Sequence, residues 1–149
     1  YIAGAAATID AIRCYAPGFI FSTSLAPVLA AGAIASVQHL KASAVEREQH
    51  QERAATLKRS LKKAGLPVMM THSHIVPLLI RCPVRCKRAS DMLLNDFGIL
   101  APPINYPTVP YGSERLRFTP SPLHSDAQIE ELVEALSSIW QTLQLERAA

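Results

Sequence analysis

The distribution of charge constrains this chain more than any other feature. Between residues 14 and 40 no side chain carries a formal charge. Glu46, Arg47, Glu48, Glu52, Arg53, Lys58, Arg59, Lys62 and Lys63 then follow in one stretch. A block so poor in charge is too apolar for the open surface of a small domain, where large contiguous apolar patches are rare. It reads as a segment buried in a larger body, joined to an exposed helix. The run 16–40 has the length of a membrane span. Pro17, Ser22, Thr23, Ser24, Pro27, Gln38 and His39 interrupt it, however, and a buried strand followed by a helix accounts for it better. Over all 149 residues, 49% are hydrophobic and 18% charged, which argues against disorder. The net charge of +3 is too small for a nucleic-acid-binding face. Cys14, Cys82 and Cys86 form no disulfide framework and read as reduced thiols of an intracellular protein. The first residue is Tyr1 rather than Met, and we expect the chain either to be processed or to be part of something longer.

Local signals divide the chain into elements. Ala5–Tyr15 has helical spacing and is closed by Pro17-Gly18. Phe19-Ile20-Phe21 reads as a short strand, and Pro27 opens a helix as a first-turn proline. A charged helix follows from about Ala44 to Ala64, with Gly65 and Pro67 as its stop. Leu66–Met70 and Ile75–Arg81 look like two strands, Lys87–Phe97 like an amphipathic helix, and Ile99-Leu100 like the start of a strand. A proline-rich loop, Pro102–Pro110, precedes Arg115–Thr119, which alternates as a strand does. Ser125 and Gln128 form a capping box before the last helix. The second half is therefore an α+β unit. The first half holds a lone strand, which cannot satisfy its own backbone groups.

Several residues have the right chemistry for a site. His72, His74, Cys82 and Cys86 are zinc-type ligands, but at a spacing that matches no zinc template, so we assign no metal. Ser22, Thr23 and Ser24 stand before a helix, where hydroxyls either hold a phosphate or simply cap. Arg115 and Arg117 share one face of a strand, either as a fork for a carboxylate or as solvated charges. Asn105, Tyr106 and Thr108 lie in a loop that proline stiffens, which suits a site wall and a plain crossing equally.

The motifs taken together go further. Tyr1-Ile2-Ala3-Gly4, the run from Tyr15-Ala16-Pro17-Gly18 to Ser22-Thr23-Ser24-Leu25, and Ser73-His74-Ile75-Val76-Pro77 resemble the C-terminal part of the α-oxoamine synthases. These are pyridoxal-phosphate enzymes with the α/β aspartate-aminotransferase-like fold. Ile104-Asn105-Tyr106-Pro107-Thr108-Val109-Pro110 and the run Glu114–Pro122 are similar to the 5-aminolevulinate-forming branch of that family. The resemblance spans essentially the whole chain. It implies that residues 1–43 end a large, cofactor-binding domain and begin an inter-domain helix, and that residues 44–149 form an α+β small domain.

The same resemblance implies the chemistry. Glycine and succinyl-CoA would condense, releasing CoA and carbon dioxide, in the committed step of haem and tetrapyrrole synthesis. Pyridoxal 5′-phosphate would serve as electron sink in a homodimer with its active site at the subunit interface. Ser22 and Thr23 match the hydroxyl pair that reaches the cofactor phosphate across the dimer. Arg117 matches the arginine that binds the glycine carboxylate, and Asn105 and Thr108 would line the active-site loop. In the family the Schiff-base lysine lies just before the stretch matching Tyr1, whereas the first lysine here is Lys41. We therefore expect no catalytic residue in this chain and no activity from it alone. Tyr111 stands where family members commonly carry a basic residue. Another α-oxoamine synthase, or a 5-aminolevulinate-forming relative serving secondary metabolism, is the alternative within the class. A non-catalytic, partner-binding chain is the alternative outside it. The expected location is the bacterial cytoplasm, or the mitochondrial matrix in a eukaryote, with neither membrane nor nucleic acid as partner.

Overall fold

Every strand among the described residues lies in the second half of the chain. The structure, a computed structural model, describes residues 2–148, so Tyr1 of the first motif lies outside the described residues. The chain divides into two compact units, Tyr1–Ser43 and Ala44–Ala149. No single helix among the described residues is long and apolar enough to cross a membrane.

The first unit is helical. It contains α1 (Ala6–Tyr15), α2 (Pro17–Ile20) and α3 (Pro27–Ala42). Pro17 and Pro27 each occupy a first helical turn, where the missing N–H costs nothing. The expected strand at Phe19–Phe21 does not form; most of it is a single helical turn. Phe21 donates its N–H to the Pro17 carbonyl at 3.0 Å and Ile20 to that of Ala16 at 3.0 Å. The physical reason is backbone satisfaction: a strand needs a partner strand, while a turn closes its hydrogen bonds locally.

The second unit contains α4 (Val45–Lys63), β1 (Val76–Leu79), α5 (Pro83–Phe97), β2 (Pro103–Ile104), β3 (Arg115–Phe118) and α6 (Asp126–Thr142). The sheet order is β1-β3-β2, antiparallel throughout. Val76 faces Phe118 and Leu78 faces Leu116 in the first pair, and Ile104 faces Arg115 in the second. One apolar core joins Leu57 and Leu61 of α4, Val76 and Leu78 of β1, Leu93 of α5, Leu116 and Phe118 of β3, and Leu136 and Trp140 of α6.

Chain punctuation follows local chemistry. Gly98 ends α5 at φ +68°, and the Ile99 N–H reaches back to the Leu93 carbonyl, as a left-handed glycine cap should. The expected capping box at Ser125 and Gln128 is present, with both reciprocal bonds made. Three expectations shift. The strand at Leu66–Met70 shrinks to a bridge between Val68 and Leu78, since Pro67 offers no N–H. Helix α5 starts at Pro83, four residues before the expected Lys87, with Cys82 extended ahead of it. The strand expected at Ile99-Leu100 forms instead at Pro103-Ile104, beside Leu116 and Arg115.

Candidate active site

Strand β3 builds the centre of the candidate site. Its alternation buries Leu116 and Phe118 and turns Arg117 outward. Arg117 lines a cleft of about 500 Å³ in the second unit. Apolar walls come from Leu57, Phe97 and Leu132, and polar ones from His124, Gln128 and Glu131. The Arg117 guanidinium makes no hydrogen bond or ion pair among the described residues. Its backbone is fixed by pairing with Pro77 and by donation to the Pro102 carbonyl at 3.2 Å. The result is a free cationic fork on a rigid strand, beside apolar walls that strengthen its field.

Arg115, two residues earlier on the same face, is already engaged. Its Nε donates to the Ser113 carbonyl at 2.8 Å, and a terminal nitrogen lies 3.3 Å from the Met69 sulfur. Periodicity treats the two arginines alike; geometry leaves only Arg117 open to a ligand. The His124 ring, in the cleft wall, accepts the Ser121 N–H on Nδ1 at 2.8 Å, which in the neutral ring leaves the proton on Nε2.

Asn105 and Thr108 share one loop turn, with the Thr108 N–H donating to the Asn105 carbonyl at 2.9 Å. Neither lines the cleft beside Arg117. Asn105 instead donates its Nδ2 to the Pro83 carbonyl at the start of α5, at 3.1 Å. The Tyr106–Pro107 bond is cis. Tyr111 stacks on Tyr106 with ring centroids 4.3 Å apart.

Ser22 and Thr23 lie in the first unit, exposed, between α2 and α3. Neither caps α3, whose N-cap is Ala26 with no side-chain bond. Ser22 donates its hydroxyl to the Phe19 carbonyl at 2.9 Å, and its lone pairs stay open. The Thr23 hydroxyl keeps its donor for a phosphate, and Ser22 has to turn its own from the Phe19 carbonyl to join it. Among the described residues no group of three metal-ligating side chains occurs. His74 packs against His50 instead, with ring centroids 4.6 Å apart.

Two features escape sequence reasoning. The cleft partners His124, Gln128 and Glu131 come from the last helix and its approach, and no local spacing ties them to Arg117. Glu114 is fully buried. Its signal is present in the sequence: Glu114, Leu116 and Phe118 form an i, i+2, i+4 row, so a charge stands just ahead of β3 in line with its inward face.

Residues 1–136 match the aminotransferase class I and II family, and the chain belongs to that family. Within it, the chain is homologous to 5-aminolevulinate synthases. It is 57% identical to 5-aminolevulinate synthase 1 of Cereibacter sphaeroides over 148 residues, covering 99% of this chain and 36% of that protein. The 5-aminolevulinate synthase of Rhizobium meliloti is 55% identical over 148 residues, with 99% and 37% covered. The chain thus spans little more than a third of the length of these relatives. Among solved structures, a serine palmitoyltransferase from S. paucimobilis superposes with a TM-score of 0.80 at 25% identity, over 92% of this chain and 35% of that one. An 8-amino-7-oxononanoate synthase from Francisella tularensis gives 0.75 at 19%, over 94% and 41%. The expected aspartate-aminotransferase-like fold is borne out by these neighbours.

Proposed function

We propose that this chain is the carboxy-terminal part of a pyridoxal-phosphate-dependent 5-aminolevulinate synthase, which condenses glycine with succinyl-CoA to 5-aminolevulinate, CoA and carbon dioxide. The observation that carries this reading is the free Arg117 fork on β3, in a chain with this family membership. A planar guanidinium takes a carboxylate through two charge-assisted bonds, which fixes orientation as well as position. Held that way, glycine presents one defined Cα–H bond for removal, and pre-paid orientation is a large part of catalysis. Arg115, bound to Ser113, keeps the neighbouring charge from competing for the same carboxylate.

Ser22 and Thr23 are the residues that would hold the cofactor phosphate, and when bound the cofactor supplies an electron sink. Asn105 and Thr108 shape the loop at the edge of the site. In this reading residues 1–43 belong to the large domain and residues 44–149 are the small domain. The helices α1, α2 and α3 bury no residue of their own, so their apolar surface is there for the rest of the large domain or for a second subunit to cover. Apolar surface of that extent marks an interface.

The test is product formation. A full-length protein carrying this chain, supplied with pyridoxal phosphate, glycine and succinyl-CoA, should form 5-aminolevulinate, and the 149-residue chain alone should form none. Full-length protein that uses alanine or serine in place of glycine would move it elsewhere in the α-oxoamine synthases. Activity of the short chain would refute the assignment of its chemistry to residues outside it.

A further inference from the structure

Glu114 is a buried carboxylate immediately before β3. It continues the row of Leu116 and Phe118 and is 0% exposed. Its Oε2 accepts the Gly112 N–H at 2.9 Å, while Oε1 is buried without a partner. Burying a carboxylate with one oxygen unbonded is costly, and an apolar side chain of similar volume would fill that space at less cost. What an apolar side chain cannot do is hold the N–H of Gly112, which sits at φ +82° in the turn that closes the loop.

The opposite root of the loop carries a matching feature. The sheet register pairs Pro103 with Leu116 and Ile104 with Arg115. One further step sets Asn105 opposite Glu114, with the loop 105–113 between them. Asn105 ties its own root to α5 through Pro83, and its Oδ1 is likewise buried without a partner. Both roots of the loop are thus tied by polar side chains, and the stacked rings of Tyr106 and Tyr111 join its two arms.

We propose that Glu114 and Asn105 are positioning residues that set the shape of the loop 105–113 and, through it, the place of Thr108, which the proposed function assigns to the active-site loop. The catalytic half of this proposal rests on the function proposed above; the conformational half does not. Glu114 acts through Gly112 on the downstream root, and Asn105 acts through Pro83 on the upstream one.

The experiment uses the full-length protein and two readouts. Chymotrypsin can cut after Tyr111, while Pro107 blocks the bond after Tyr106, so cleavage at Tyr111–Gly112 reports loop opening by mass spectrometry. Glu114→Leu keeps the volume and removes the acceptor; it should raise that cleavage rate ~10-fold, since proteolysis follows the open population. It should also lower kcat/KM ~10-fold or more, as small misplacements near a site do. Glu114→Gln keeps a side-chain oxygen that accepts from Gly112. It should restore both readouts to near wild type. Unchanged cleavage in Glu114→Leu, or a Gln variant as open as the Leu variant, overturns the proposal. Should Glu114→Leu not fold, Asn105→Ala tests the other root alone: faster cleavage supports the proposal and an unchanged rate overturns it. If the wild-type protein makes no 5-aminolevulinate, the proposed function fails, and the cleavage arm still decides the positioning role.

Discussion

Helices α3 and α4 follow one another in the chain and are built on opposite plans. Helix α3 has apolar or small residues on every side, the composition of a helix meant for burial all round. Yet Val28 is 76% exposed, Leu29 61% and Ile34 57%. Helix α4 is highly charged, and a narrow stripe of Ala54, Leu57 and Leu61 enters the core of its own unit. The difference extends to the two units. The second is held by a core made from its own residues, so the strand that aims Arg117 is fixed by this chain itself. The first shows its apolar surface outward, so the setting of Ser22 and Thr23 depends on what covers those helices. Two kinds of candidate site residue therefore rest on two kinds of support.

Substitutions should expose this contrast directly. Trp140 is 1% exposed and donates its Nε1–H to the Glu146 carbonyl at 3.0 Å. Trp140→Ala should destabilise the second unit by ~3–5 kcal/mol in urea unfolding, the usual cost of deleting a buried aromatic. A loss under ~1 kcal/mol would mean that the second unit lacks a packed core of its own.

The thiols give the next largest contrast. Burial pushes Cys86 up from its ordinary 9.0 to about 11, despite a bond with the Ile104 backbone. Cys14, in the first unit, is exposed. At pH 8 the Cys86 thiolate should be ~100-fold scarcer than at an ordinary thiol, and labelling by a thiol reagent should be slower by at least that factor. The neutral Cys86 thiol also links stability to pH. Its contribution is fully present below pH 9 and is lost as pH rises through about 11. Mass-resolved labelling at the two sites checks the rates, and unfolding midpoints on either side of that window check the linkage.

The smallest effect should come from the first unit. Ile34→Ala removes a large side chain that is already 57% exposed, so the stability of the 149-residue chain should move by less than ~0.5 kcal/mol. The same substitution in a full-length protein that covers α3 should cost several times more.

Legibility from sequence follows the range of the forces involved. The Ser125–Gln128 capping box, the stops at Gly65 and Gly98, and the alternation of Arg115–Phe118 are set by neighbours a few residues away. All are readable in the sequence. Phe19–Phe21 misleads because an apolar triplet fits a strand or a helical turn, and only a pairing partner decides. Pro103-Ile104 escapes notice for the converse reason: two residues become a strand because β3 lies beside them. At the site, sequence spacing marks Arg115 and Arg117 as equals. Their difference comes from Ser113 and Met69, and the second of these is distant in sequence. Glu114 is legible in the alternation as an inward charge, although its bond to Gly112 requires the folded turn.

Arg117 offers the most direct test. In the full-length enzyme, the glycine KM of Arg117→Ala should rise by roughly 10–200-fold, the loss of about 1.5–3 kcal/mol for a charge-assisted contact. The KM for the acyl-CoA should change far less. Arg117→Ala with unaltered glycine kinetics would contradict the assignment of this fork to the substrate carboxylate.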